Sequence, residues 1–211
     1  MQRERITITL DKDLLPALDQ LVDGGLVRNR SHAIEYALRS GLQVAELTTV
    51  FIILGNTISP SPDILKRLAS FPIRHLYLVA PSARLGEVQL VATMCSEALP
   101  EAAVELVPGD FGDAAAVLLK QKELSPSILI IDLDILEDTP ENLMPAYAFH
   151  RQQLATATQL VRATDQGYTP SGVAFAQSTL TTDIPAGLAT LRENVFPTLV
   201  KGGKVRAYVY A

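Results

Sequence analysis

An α/β protein in two parts is predicted: a small strand-helix-helix module at the N-terminus, then a larger α/β domain built on a parallel sheet. Three observations predict it. Residues 5–10 read Arg-Ile-Thr-Ile-Thr-Leu, a period-2 alternation of strand-favouring residues. Two Leu- and Ala-rich stretches at helical spacing follow, separated by Gly24-Gly25. Beyond residue 49, short apolar runs alternate with helical patterns, as they do where strands are buried on both faces of a sheet.

In the first part the strand separates Ile6, Ile8 and Leu10 from Arg5, Thr7 and Thr9. Asp11 stands where a helix N-cap belongs, and Leu14, Leu15, Leu18, Leu21 and Val22 repeat at helical spacing until the glycines end the segment. Asn29 or Ser31 can cap a second helix, lined by Ala33, Ile34, Ala37 and Leu38 and closing at Gly41. The module spans residues 1–46, and the larger domain residues 50–211.

In the larger domain the strands are Val50 to Leu54, Leu76 to Val79, Val104 to Val107 and Ile128 to Ile131, with helices at Pro62 to Ser70, Leu85 to Ala98 and Gly112 to Lys122. A helix near Pro140 to Gln153 comes next, and one near Ala189 to Lys201 later. Strands are placed near Thr156 to Val161, Val173 to Ala176 and Val205 to Tyr210.

Composition narrows the possibilities. Hydrophobic residues are 48% and charged ones 19%, which excludes a disordered chain and permits a real core. The apolar runs are far shorter than the roughly 18 to 20 residues of a membrane span, and no leader pattern opens the chain. A cytoplasmic, nucleoid-associated protein is expected. Net charge is −5, but residues 1–44 hold six basic and six acidic groups, so the whole acidic excess lies later. The single cysteine, Cys95, reads as a small core residue, and no metal site is expected.

A lone strand of this length lacks partners for its backbone and cover for its apolar face, so it calls for a second chain. Two such strands paired antiparallel bury both copies of Ile6, Ile8 and Leu10 and leave Arg5, Thr7 and Thr9 on a ribbon of major-groove width. Arg can donate two hydrogen bonds to guanine, and Thr offers a hydroxyl and a methyl to base edges. The amides at the start of the second helix, flanked by Arg28 and Arg30, suit a phosphate. The candidate DNA contacts are therefore Arg3, Arg5, Thr7, Thr9, Arg28, Asn29, Arg30 and Ser31.

The Arg-Ile-Thr-Ile-Thr-Leu-Asp opening, the Leu-rich first helix and Asn-Arg-Ser-His-Ala-Ile before the second resemble the ribbon-helix-helix repressors, the class that includes MetJ and Arc. The resemblance covers about 40 residues and implies an intertwined homodimer, with a tetramer left open, bound to double-stranded DNA. An arm that only dimerises, or that binds a protein partner as in antitoxins, is the alternative.

Residues 50–211 resemble a degenerate sugar-phosphate nucleotidyltransferase, a Rossmann-like family. Phe111 to Ala116 resembles its Gly-Thr-Ala-Gly-Ala helix start, and Ile130 to Leu136 its strand ending in a metal-binding Asp, here Asp134. Ala148-Phe149-His150-Arg151 resembles its Phe-His-Arg helix, with Ala155 to Thr158 the strand beyond, and Val195-Phe196-Pro197-Thr198-Leu199 its Phe-Pro-x-Leu segment before Lys204 to Tyr208. The departures weigh against catalysis. The loop Gly55-Asn56-Thr57-Ile58-Ser59-Pro60 has one glycine and no cation before Lys66, where the family holds a triphosphate with Arg and Lys. The sugar-binding hairpin would fall between Val161 and Val173, where 11 residues stand, and no second metal-binding Asp follows the last strand.

Asp132 and Asp134 lie at i and i+2, on one strand face, and suit either a paired-carboxylate site or an inert strand end. His150 reads as a hydrogen bonder anchoring its helix, and His32 and His75 have no ligand set around them. Gly112 to Ala116 could cradle a phosphate, against which Asp113 would act. The combined expectation is a DNA-binding regulator, not an enzyme and without a cofactor, whose inactive nucleotidyltransferase-like domain oligomerises or senses an unidentified small-molecule effector. An active nucleotidyltransferase with a dimerisation arm, or a structural oligomeriser that does not bind DNA, are the rivals.

Overall fold

The computed structural model describes residues 7–22, 29–41, 47–57, 59–109, 124–137, 139–153, 155–165, 167–184 and 190–210. The chain divides into two compact units, Met1–Val44 and Ala45–Ala211. Each is treated by itself below.

In the first unit Asp11 caps a single 3-10 turn, Lys12–Leu14, with its carboxylate accepting from the Asp13 amide at 3.3 Å. The turn runs into helix α1, Leu15–Leu21, with Pro16 at its start, where a missing N–H costs nothing. Helix α2, Arg30–Gly41, is capped by Asn29, whose Oδ1 accepts from the His32 amide at 2.9 Å. Of the two caps the sequence offered, Asn29 is used. Leu18 and Ala33 are buried where the helices meet, and Leu10, Leu15, Val22 and Ile34 pack around them. Residues 7–10 are not in a strand; those before residue 7 lie outside the described residues. A strand is defined by the ladder it joins, and residues 7–10 are in no ladder with other described residues.

The second unit is a seven-stranded mixed sheet in the order β3-β2-β1-β4-β6-β5-β7. Its strands are β1 (Leu47–Ile53), β2 (His75–Ala80), β3 (Ala103–Pro108), β4 (Ser127–Asp132), β5 (Ala157–Thr164), β6 (Gly167–Gln177) and β7 (Val205–Tyr210). The strands β1 to β4 are mutually parallel, as the buried apolar runs predicted. β6 runs antiparallel to β4 and β5, while β7 is parallel to β5, so the sheet is mixed. β5 and β6 form a tight hairpin that takes up most of the residues between Val161 and Val173.

Helices α3 (Pro62–Leu68), α4 (Leu85–Ala98) and α5 (Met144–Gln153) cover one face, burying Ile64, Leu65, Leu68, Val88, Val91, Cys95, Ala146 and Tyr147. Strand alternation sends Val50, Ile52, Leu129 and Ile131 to that side. It sends Phe51, Ile128, Ile130, Ala174 and Ala176 to the other, under Leu191, Val195, Phe196 and Leu199. These last residues come from a π-helical turn, Leu191–Val195, that continues into α6 (Phe196–Lys201), so the helix expected from Ala189 begins as a wider coil. The helix expected at Gly112 to Lys122, with the Gly112 to Ala116 cradle, lies outside the described residues.

The topology creates one crevice. From β1 the sheet grows to β2 and β3 on one side and to β4 on the other, and such a reversal leaves a gap beyond the carboxyl ends of β1 and β4.

Candidate nucleic-acid interface and ligand crevice

Of the candidate DNA contacts, Thr7, Thr9, Asn29, Arg30 and Ser31 are described, and all five are exposed. Arg3, Arg5 and Arg28 lie outside the described residues. Arg30 donates from Nε and Nη2 to the two carboxylate oxygens of Asp19 at 2.6 and 2.7 Å, tying the start of α2 to α1. This hydrogen bond and the neighbouring charge hold Asp19 below, and Arg30 above, their ordinary pKa values. Sequence reading did not foresee the pair, because residues 11 apart meet only through the turn between the helices.

Apolar side chains of this unit face water in the single chain. Ile8, Leu14 and Leu38 are 47, 51 and 50% exposed, and Leu10 is only partly covered. Helical residues of this size are normally turned to a core. Their exposure is what an element expecting a second copy would show.

In the second unit β4 ends at Asp132, and Asp134 lies in the turn beyond it, so the two carboxylates do not share a strand face. Instead the Asp134 amide donates to Asp132 Oδ1 at 3.1 Å. Asp134 Oδ1 in turn accepts from the Thr57 amide at 2.9 Å, across the crevice in the loop after β1. Gly55 leaves room there for the Asp134 carboxylate, on which a Cβ would fall. Asp134 thus anchors the loop. Burial raises the Asp132 pKa, and the nearby Asp134 charge adds to the rise, while the Asp134 amide and Arg192 oppose it.

The cation that reaches this loop is Arg84, which follows β2 and was not singled out from sequence. Its Nη1 donates to the carbonyls of Gly55 at 2.7 Å and Asn56 at 3.2 Å, while Glu87 pairs with it at 3.1 Å. Lys66 lies beside Asp63 on the surface of α3, and Arg67 donates to Thr139. A guanidinium spent on backbone carbonyls and a carboxylate has little left for a triphosphate.

His150 on α5 is buried with Nδ1 3.0 Å from Thr158 Oγ1 on β5 and its ring stacked on Phe175. Burial pushes its pKa down to about 4, so it is a neutral anchor of the helix, the role its sequence context implied. Cys95 is buried, and burial pushes its thiol up to about 11. Neither suits metal binding, and among the described residues no three His, Cys, Asp or Glu side chains cluster to hold an ion. No helix among the described residues is long and apolar enough to cross a membrane.

With this geometry in view, the first unit can be compared with known proteins. Residues 4–43 match the family described as ribbon-helix-helix protein, copG family. The nickel-responsive regulators of Brucella melitensis biotype 1 and of Brucella suis biovar 1 are each 48% identical over 44 residues, 21% of this chain and 33% of theirs. The same holds for the nickel-responsive regulator of Brucella abortus biovar 1. The chain therefore spans about a third of the length of the curated relatives it matches.

Proposed function

We propose that this protein is a sequence-specific DNA-binding transcriptional regulator that acts as a homodimer through its first unit, with a catalytically inactive nucleotidyltransferase-like second unit that senses a small molecule. The observation that carries the proposal is the ribbon-helix-helix match over residues 4–43. Exposed Ile8, Leu14 and Leu38 support dimerisation, since an antiparallel ribbon with four helices beneath it would cover such side chains. Asn29 and Ser31 stand at the capped start of α2, a 12-residue helix whose amides suit a phosphate.

Inactivity of the second unit is favoured by what its polar groups already do. Asp134, the residue aligned with the family's metal ligand, holds the Thr57 amide, and Arg84 is engaged with loop carbonyls and Glu87. Nickel response is not carried over from the relatives, because the match to them covers a third of their length.

The test is an equilibrium titration of the full chain on one operator duplex, selected from random sequence, and one scrambled duplex at two salt concentrations. Arg5→Ala should cost about 1 to 3 kcal/mol per contact and erase base preference. Arg28→Ala should weaken both duplexes alike and flatten the salt slope by about one unit per contact, while Arg30→Ala should do so by less, since Asp19 already holds that guanidinium. Failure to bind any duplex, or binding blind to sequence and salt, would overturn the reading.

A further inference from the structure

On the sheet face under α6 lies a cleft of about 770 Å³, floored by Ile53, Ile130 and Ala174 and walled by Phe196, Pro197 and Val200. This volume is that of an ordinary small-molecule site. Sheet register explains the space: Gln159 on β5 pairs with Ala174 on β6 and Ala207 on β7, so its long side chain has a methyl group on each side. The Gln159 amide lines the cleft and has no hydrogen-bond partner among the described residues. Asp132 lines it too, and only its Oδ1 is engaged, by the Asp134 amide. An amide and a carboxylate left open at the edge of an apolar floor are poised for a ligand donor.

We infer that this cleft binds a small molecule with an aromatic or aliphatic body, an amine that donates to Asp132 and, farther along the cleft, a group that hydrogen-bonds Gln159. A sugar phosphate fits it poorly. Asp132, Asp134 and Glu137 gather at one end, where they would repel a phosphate, and the floor offers isoleucine and alanine where a sugar needs hydrogen bonds. Arg192 and Lys201 border the cleft but are exposed to water. The inference deepens the small-molecule sensing reading of the second unit and rests on it for its regulatory meaning.

The chain contains no tryptophan, so the fluorescence anisotropy of tryptamine reports its binding directly. Saturable binding of one tryptamine per chain is expected, with competition by octylamine and none by glucose 1-phosphate or by UTP with magnesium. Gln159→Leu and Asp132→Asn should each weaken tryptamine by about ten-fold or more while circular dichroism shows the fold intact. Leu90→Ala, which trims an exposed leucine on α4 across the sheet, should change nothing. Absence of saturable binding, displacement by the sugar phosphate or nucleotide, or an equal loss in Leu90→Ala would overturn the inference. Tryptamine that binds as expected yet leaves operator affinity unchanged would uphold the site and overturn the sensing role.

Discussion

His150 sits in the core as a neutral imidazole, and keeping it neutral has a cost that depends on pH. Its pKa is about 4 in the folded chain against an ordinary 6.5, so the unfolded chain binds the extra proton between those values. Stability from the neutral ring is complete above about 6.5 and is lost as pH falls towards 4, by roughly 3 kcal/mol. Urea midpoints for the wild type and His150→Asn at pH 7.5 and 4.5 should show the wild type losing more stability. Asp132, raised by burial, contributes with the opposite sign at the acid end, but it is common to both proteins and cancels in the comparison. Cys95 gives a simpler expectation: a buried thiol held up to about 11 should resist a disulfide reagent in the native protein and react once per chain in denaturant. Cys95 was legible in the sequence as a small core residue, and His150 as a hydrogen bonder anchoring its helix. The role of Asp134 was not, since its partner Thr57 lies 77 positions away.

At the scale of elements, two glycines show how tightly the crevice rim is assembled. Gly55 has the Asp134 carboxylate where a side chain would be, and Gly172 has φ +84 with the Asp132 carbonyl 2.7 Å and Leu136 Cα 2.9 Å from an added Cβ. Gly172→Ala meets backbone on two sides as well as an unfavourable φ, so it should destabilise the unit by about 1 to 3 kcal/mol, read as a lower urea midpoint. Gly55→Ala meets a side chain that can swing away; it should cost less and instead release the loop, seen as faster amide exchange at Thr57. The positions of β1, β2 and β4 were readable because these strands are buried on both faces and need unbroken apolar runs, whereas β3, at the sheet edge, is partly exposed. The reach of β6 was not, because its outer half, Gly167 to Pro170, is partly exposed and contains a proline.

For the whole molecule, two compact units imply two unfolding events. Among its described residues the first unit has a small buried core, Leu18 and Ala33 with four partly covered neighbours, and leaves Ile8, Leu14 and Leu38 open. Its stability should come from association, so its transition should rise with protein concentration while that of the second unit stays fixed. Scanning calorimetry over a hundred-fold concentration range checks this. A single transition independent of concentration would mean that the first unit folds without a twin. Ile8→Ala should lower the concentration-dependent transition alone, by roughly 2 to 5 kcal/mol if the ribbon buries that side chain.

By itself, the amino-acid sequence determined the two-part organisation, the helical pair after Asp11, the parallel strands β1 to β4 and the ribbon-helix-helix resemblance, because all of these rest on local periodicity and capping. Tertiary structure alone decided the mixed sheet order, the Arg30 pairing with Asp19, the use of Asp134 as a loop anchor and the cleft in front of Gln159. Each of these depends on which distant residues become neighbours. Side-chain period says which face a residue joins, but it carries no information about what stands across from it.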